Sequence, residues 1–484
     1  MTTQTAVADR TAAPAGHPGR WLAAIVLIVG ALMDMIDVTI VNVALPTIRR
    51  DLHASATQLE WVVSGYMLAF AAALIIAGSL GDRFGRKHLF LLGVGAFGLA
   101  SLCAGLSGSG AELIAARVVQ GTAAAAMAPQ VLATFRVIFG ARERGKAFGI
   151  YGAMLGLASA AGLVLGGLLT DANLFGWSWR SVFFVNVPVA ACALIAGLRL
   201  VPETRDPGAR RPDLTGAGAL AGSLVAIVYP LLEGRQLGWP AWVWALLAAG
   251  VAGLVALGLR EQRRPGRPVA PLLRAGLLRV PAFAAGLGVQ LAFAAGMQGF
   301  FLAFALWLQA GEHFSPLKAG LTAVAFSAGS FIGAPVAVPL AQRYGRGILA
   351  SGAAGMVAGI AGVALAAPHV GAGGSPWPIV PGLAVAGAGL ALLIVPLVNV
   401  VLAAVPVEVA GGASGLFSTA QQLGGALGVA LLGTVFFGDL STGHSFAAAM
   451  VHTAPYAMGA FAVCGVASML LPRTAVSEES VAAT

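Results

Sequence analysis

Charge is what this chain has least of. Only 10% of its 484 residues are Asp, Glu, Lys or Arg, against about 25% in an ordinary soluble domain. A chain this long and this poor in charge does not divide into soluble globular domains. Cysteine is almost missing too. Cys103, Cys192 and Cys464 are the only three; they lie in separate apolar runs without metal-ligand spacing and read as packing residues. No phosphate loop of the form GxxxxGK[ST], no HExxH and no metal-binding cluster occurs, which leaves no motif for nucleotide or metal chemistry. The seven histidines fall mostly at the ends of apolar runs or between them. The first 20 residues are polar and rich in Ala and Thr, and the first apolar run is too long for a signal-peptide core, so no cleaved leader is expected.

What the chain does have is hydrophobic length: 58% apolar residues and 66 glycines. Apolar stretches begin near Trp21, Gln58, His88, Ala111, Lys146, Trp179, Leu214, Pro240, Pro281, Leu317, Gly347, Trp377, Gly411 and Phe446. Each approaches the roughly 20 residues that a helix needs to cross a bilayer, so the chain reads as an all-α, multi-pass membrane protein of fourteen spans. If the N-terminus is cytoplasmic, 22 Lys/Arg face that side, 5 face the other and Arg117 lies within a span. The positive-inside rule then places both termini in the cytoplasm of a cell whose plasma membrane holds the protein. The net charge of +9 is juxtamembrane and suits anionic lipid rather than nucleic acid.

Against that background Asp34 and Asp37 stand out, inside the run WLAAIVLIVGALMDMIDVTIVNVAL. A carboxylate at the centre of a span costs about 2.5–3.5 kcal/mol even on the lenient insertion scale. Three residues apart, the two share a helical face, and close carboxylates resist ionising together. They suit a proton-binding site or, failing that, a wet cavity. Arg117 in the fourth span must likewise face a partner or water; Asp34 and Asp37 are both available to it.

The halves of the chain repeat. Leu80-Gly-Asp82-Arg83-Phe-Gly85-Arg86 recurs as Leu340-Ala-Gln342-Arg343-Tyr-Gly345-Arg346 at an offset of 260, and Gly145, Gly149 and Gly167 recur as Gly411, Gly415 and Gly433 at 266. Features keep their order, as in a parallel duplication of a six-helix unit. Two spans between charged linkers are left over. The expected division is a polar N-terminus at 1–20, a six-helix bundle at 21–201, linkers and two extra helices at 202–280, a second bundle at 281–472 and a tail at 473–484.

Several motifs resemble those of the major facilitator superfamily, and specifically its fourteen-helix drug:proton antiporters. They are Asp37-Val-Thr39-Ile-Val-Asn42-Val-Ala44-Leu-Pro46, Gly78-Ser-Leu80-Gly-Asp82-Arg83-Phe-Gly85-Arg86-Lys87, Arg117-Val-Val-Gln120-Gly121, Trp179-Arg180 with Asn186-Val-Pro188, and Ser414-Gly415 with Gln421-Gln422-Leu-Gly424. The resemblance implies two bundles that rock about a central cavity, with proton coupling at Asp37, Asp34 and Arg117, Asp37 being the acid that matches the family's. It also implies a conformational latch at Gly78, Asp82, Arg83, Gly85, Arg86 and Lys87, in which Asp82 meets the start of the thirteenth helix near Gly411. Two positions depart from the pattern. Leu163 stands where the fifth helix usually carries the proline that would kink it, and Gln342 replaces the acid of the second loop copy.

The implied activity is proton-driven export of lipophilic compounds, cationic ones included, with a dedicated exporter of one endogenous metabolite as the alternative. An enzyme is not expected, and neither is a cofactor. The partners expected are a small lipophilic molecule, protons and membrane lipid, with the chain acting as a monomer. Asn42, Tyr66, Gln120, Gln298, Phe301, Trp307, Asn399, Gln421 and Gln422 are candidates to line the cargo cavity, since aromatic rings suit flat lipophilic ligands and bind cations through their faces.

Overall fold

A computed structural model describes residues 19–205, 211–262, 269–270, 280–403 and 410–471. Residues 1–18 of the expected N-terminal tail, the C-terminal tail, residues 206–210 of the first linker and most of the second linker lie outside that range. Fourteen helices of 15 residues or more occur among the described residues, thirteen of them beginning within five residues of an expected span and the sixth seven residues beyond one. They are α1 Arg20–Asp51, α2 Ala56–Phe84, α3 Arg86–Leu106, α4 Gly110–Ile138, α5 Ala141–Ala172, α6 Asn186–Leu200, α7 Leu214–Leu237, α8 Ala241–Gln262, α9 Pro281–Leu306, α10 Pro316–Tyr344, α11 Gly347–Ala366, α12 Val380–Ala403, α13 Ala410–Ser441 and α14 Phe446–Ser468. Eleven segments are long and apolar enough in themselves to cross a membrane; α2 makes a twelfth when its limbs Ala56–Leu74 and Ile76–Phe84, bent by 49°, count as one. The protein is thus a multi-pass membrane protein.

The duplication is visible in the backbone. Ser55 caps α2 by accepting from the Gln58 N–H at 3.1 Å, and Ser315 caps α10 by accepting from the Lys318 N–H at 3.2 Å. Both ends of these helices are displaced by the same 260 residues as the loop motif. Each is stopped by a glycine at positive φ, Gly85 at 113° and Gly345 at 57°, a conformation that L side chains rarely adopt. Polar caps at the start and glycine at the stop satisfy helix-end groups that lipid cannot.

Glycine also sets how closely the helices pack. In the second half, Gly352 and Gly359 of α11 meet the backbone of α12 so closely that a Cβ would lie within 2.5 Å of Leu393 N and 2.3 Å of Ala386 N. Small residues of this kind let membrane helices approach where apolar burial gives no driving force. Of the three cysteines, Cys464 is buried, whereas Cys103 and Cys192 are exposed on outward surfaces rather than packed inside.

The helices α7 and α8 pack on each other, and α7 lies against α2 and α13, where the two halves meet. Trp61 donates its indole N–H to Glu233 at 3.0 Å across this contact. A two-residue parallel pairing, β1 Arg211–Pro212 with β2 Val269–Ala270, joins the two linkers and is the only β structure among the described residues.

The halves touch at one end. At the end carrying the α1–α2 and α9–α10 connections, a Cβ on Gly167 of α5 would lie 2.6 Å from Leu317 Cα, and one on Gly320 of α10 would lie 2.4 Å from the Leu163 carbonyl. Gln309 donates to the Val43 carbonyl at 2.7 Å, and Ser64 to the Ala426 carbonyl at 3.4 Å. At the other end, which holds the first and last described residues, added Cβ atoms on Gly78, Gly149 and Gly415 would meet nothing within 4 Å. Among the described residues the seam is closed at the first end and open at these three positions of the second. The helix α5 runs unbroken through Leu163, so the missing proline costs no continuity, and the neighbouring glycines keep their close contacts.

Candidate functional site

The site is built from the charges that apolar helices cannot leave unpaired. Asp37, on α1, is fully buried, and Arg117 on α4 is 2% exposed. Arg117 Nη1 donates to Asp37 Oδ2. Gln120, one turn further along α4, donates to Asp37 Oδ1 at 2.8 Å and accepts from Arg117 Nη1 at 2.6 Å. Asn186, the first residue of α6, gives Asp37 Oδ1 another N–H at 3.0 Å. Both amides also reach Ser101 Oγ on α3, at 2.7 and 3.4 Å. The guanidinium Nε donates to the Val62 carbonyl of α2 at 3.2 Å. Five helices of one half therefore meet in one network around a single carboxylate. A buried ion pair is tolerated only with this kind of additional hydrogen bonding.

Of the two partners open to Arg117, the structure selects Asp37. Asp34 is half-buried and accepts from the Tyr66 hydroxyl instead. The Tyr66 ring lies under the guanidinium, 4.1 Å from its carbon to the ring centre. Tyr66 thus bridges the two acids, and it is enclosed (0% exposed) rather than facing a cargo space. Gln120 belongs to the Asp37 network in the same way. Asn186 and Ser101 were absent from the expected site; the motif containing Asn186 was the only signal for it.

The other expected cargo residues divide. Trp307 is fully buried in the π-helical turn Trp307–Gly311, with its N–H on Glu312 at 2.8 Å. Phe301 packs edge-on against Phe326 at 5.3 Å and is 8% exposed. Asn42 is also buried. Gln298 reaches Met67 Sδ across the halves at 3.7 Å, Gln421 is exposed and Gln422 half-buried. The Asn399 side chain lies outside what is described. In the loop motif, Asp82 is bound by Arg86 Nη2 at 2.6 Å and Nε at 2.9 Å, and Lys87 donates to the Leu198 carbonyl at 2.8 Å. The expected partner of Asp82, the start of α13, adjoins residues 404–409, which are outside the described range.

A central acid–arginine pair in a duplicated helical bundle whose halves close at one end is the architecture of a secondary transporter. Residues 27–429 match the Major Facilitator Superfamily. The chain belongs to that superfamily and is a transporter of small molecules, not an enzyme. It is 39% identical over 439 residues to a probable actinorhodin transporter of Streptomyces coelicolor, spanning 90% of this chain and 75% of that one. It is 34% identical over 414 residues to a multidrug resistance protein of Mycobacterium tuberculosis, spanning 85% and 75%. Among solved structures, a D-xylose-proton symporter superposes with a TM-score of 0.65 over 94% of this chain and 98% of that one, at 13% identity, a likeness of fold.

Proposed function

We propose that the chain is a proton-coupled exporter of lipophilic drugs and antibiotics, of the fourteen-helix antiporter type, working in the plasma membrane by alternating access as a single copy. The observation that carries this reading is the Asp37–Arg117 pair, sealed at the centre of one half, in a molecule parted only at its terminal end. With both termini cytoplasmic, that parted end opens inward, ready to take cargo from the cytoplasm or inner leaflet. A proton arriving at Asp37 cancels the charge that holds Arg117, and the freed guanidinium, already stacked on Tyr66, turns toward the cavity. Asp34, one turn nearer the open end, offers a negative charge to cationic cargo. Asp82, Arg83, Arg86 and Lys87, with Gly78 and Gly85, form the latch that tells the two states apart. Gln298, Gln421 and Gln422 are the cargo contacts best placed at the parted seam; Asn42, Phe301, Trp307 and Asn399 act in other states or as support.

One relative is named for a single antibiotic, which favours a second reading: export of one endogenous metabolite of similar chemistry. The deciding experiment is substrate-dependent proton movement in proteoliposomes, run with a panel of lipophilic cations and neutral antibiotics. Asp37→Asn should abolish gradient-driven export while binding of neutral cargo survives. Unchanged proton release in Asp37→Asn would remove that acid from the mechanism, and a response to one compound alone would establish the dedicated exporter.

A further inference from the structure

A second carboxyl group is buried far from Asp37 and plays no part in the site described. Glu60 lies in the second turn of α2, at the closed end, and is 0% exposed. It faces α13 across the seam between the halves, so tightly that a Cβ on Gly433 would come within 2.5 Å of Glu60 Oε1. Neither of its oxygens has a hydrogen-bond partner among the described residues.

The charges around it are few. From α7 come Glu233, held by the Trp61 indole, and Arg235, whose Nε also lacks an acceptor and whose guanidinium carbon sits 5.4 Å from the Phe437 ring centre. From α1, Arg49 lies 5.7 Å from the same ring. From α4, Glu112 caps its own helix and Arg117 is committed to Asp37. Arg86, Lys87 and His88 of α3 lie at the opposite end of α2, and α13 carries no charged side chain before Asp439.

An ionised carboxylate sealed in such a place, with no donor, is far costlier than the neutral acid. When the seam parts, water reaches the group and it ionises like any exposed carboxyl. We propose that Glu60 is a second proton-binding site, taken into the seam as the neutral acid, so that closing α2 on α13 consumes one proton from the solution that this end faces. The proposal rests on the alternating-access reading above. Glu60 serves closure rather than net exchange, because the same end that supplies its proton receives it back on opening. Acid at that face therefore favours the closed seam. Above the range of a free carboxyl, a one-proton linkage changes the closed-to-open ratio about tenfold per pH unit.

The test places spin labels at His53 and Ser441, on the two sides of the seam, in full-length protein in lipid nanodiscs with the native cysteines replaced. In this otherwise unmutated background the closed fraction should fall about tenfold in ratio per pH unit. Glu60→Gln, neutral at every pH, should stay closed with no such slope, and Asp37→Asn should retain it. A slope unchanged in Glu60→Gln overturns the proposal alone. A ratio that follows sodium at constant pH overturns it as well, and so does a ratio insensitive to pH in the background, the mark of a fixed pairing with Arg235. One distance in every variant would remove alternating access and the proposal together. A measurement needing no Glu60 variant is carbodiimide labelling, which modifies buried protonated carboxyls. At neutral pH the Glu60 peptide should carry the adduct in wild type, and an unlabelled Glu60 overturns the proposal.

Discussion

The guanidinium of Arg117 and the ring of Tyr66 are stacked, 4.1 Å from charge to ring centre, and the hydroxyl of the same tyrosine holds Asp34. One side chain therefore senses both acids of α1. Neutralising Asp37 weakens the hold on Arg117, and any turn of the arginine is felt by Tyr66 and so by Asp34. The coupling needs no rearrangement of backbone, only of side chains already in contact.

Tyr66 can be divided by mutation. Tyr66→Phe removes the hydrogen bond to Asp34 and keeps the ring under Arg117; a hydrogen bond to a charged group contributes about 1.5–3 kcal/mol. Tyr66→Ala also removes the cation–π contact, worth about 2 kcal/mol where water is excluded. Export should fall in the first variant and fall further, by about another tenfold or more, in the second, with both matched for folded protein by gel filtration. Equal losses in the two would show that the ring contributes nothing.

A pH effect is expected at the inserted hairpin. Asp213 caps α7 through the Gly216 N–H at 3.0 Å and binds Arg260 of α8 at 2.6 Å. Burial alone would push its carboxyl up, but the Arg260 hydrogen bond, the Gly216 N–H and the Thr215 hydroxyl outweigh burial and hold it at about 2, below its ordinary 3.8. A lowered acid stabilises the folded state fully above its unfolded value and loses that contribution as pH falls through the folded value. The α7–α8 contact should accordingly weaken as pH falls from about 4 to about 2. Limited proteolysis near the linkers, followed against pH, should show this in wild type. Asp213→Asn should be weaker at neutral pH and lack the acid step; an identical step in that variant would assign it to another group.

How much of this was legible in the residues follows from physical range. Hydropathy and the glycine–cap grammar act locally, so the helices, the 260-residue repeat and the flanking of the inserted pair by charged linkers could be read directly. That Arg117 would face Asp37, Asp34 or water was also legible, since lipid does not accept a bare charge. Which acid it would be was not, because residues three apart on one helix share a face and only the crossing of α1 over α4 decides. Tyr66 and Trp307 look like cargo aromatics in sequence, yet their polar atoms are taken by Asp34 and Glu312. Glu60 escaped notice because an acid in the first turns of a span resembles a wetted helix end. Only the packing of α13 at Gly433 shows that it is dry.

Closure at the sealed end depends on two glycines. A Cβ on Gly167 would lie 2.6 Å from both Leu317 Cα and the Pro316 carbonyl, and one on Gly320 would lie 2.4 Å from the Leu163 carbonyl. Those neighbours are backbone, so they cannot swing aside as a flexible side chain would. Overpacking such a contact costs about 1–3 kcal/mol, and that much bias between two states amounts to about 5- to 150-fold in their ratio. Gly167→Leu should therefore drive the protein toward the form parted at this end, whereas Gly149→Leu, on the same helix with nothing within 4 Å of the added atom, should leave the ratio alone. Distances between labels at Phe175 and Gly371, on loops of the two halves at this end, would report the change. The longer distance should gain population in Gly167→Leu, with slower export to match, because a transporter held in one state cannot complete its cycle. A wild-type distance distribution in Gly167→Leu would mean that α5 and α10 do not form the moving seam.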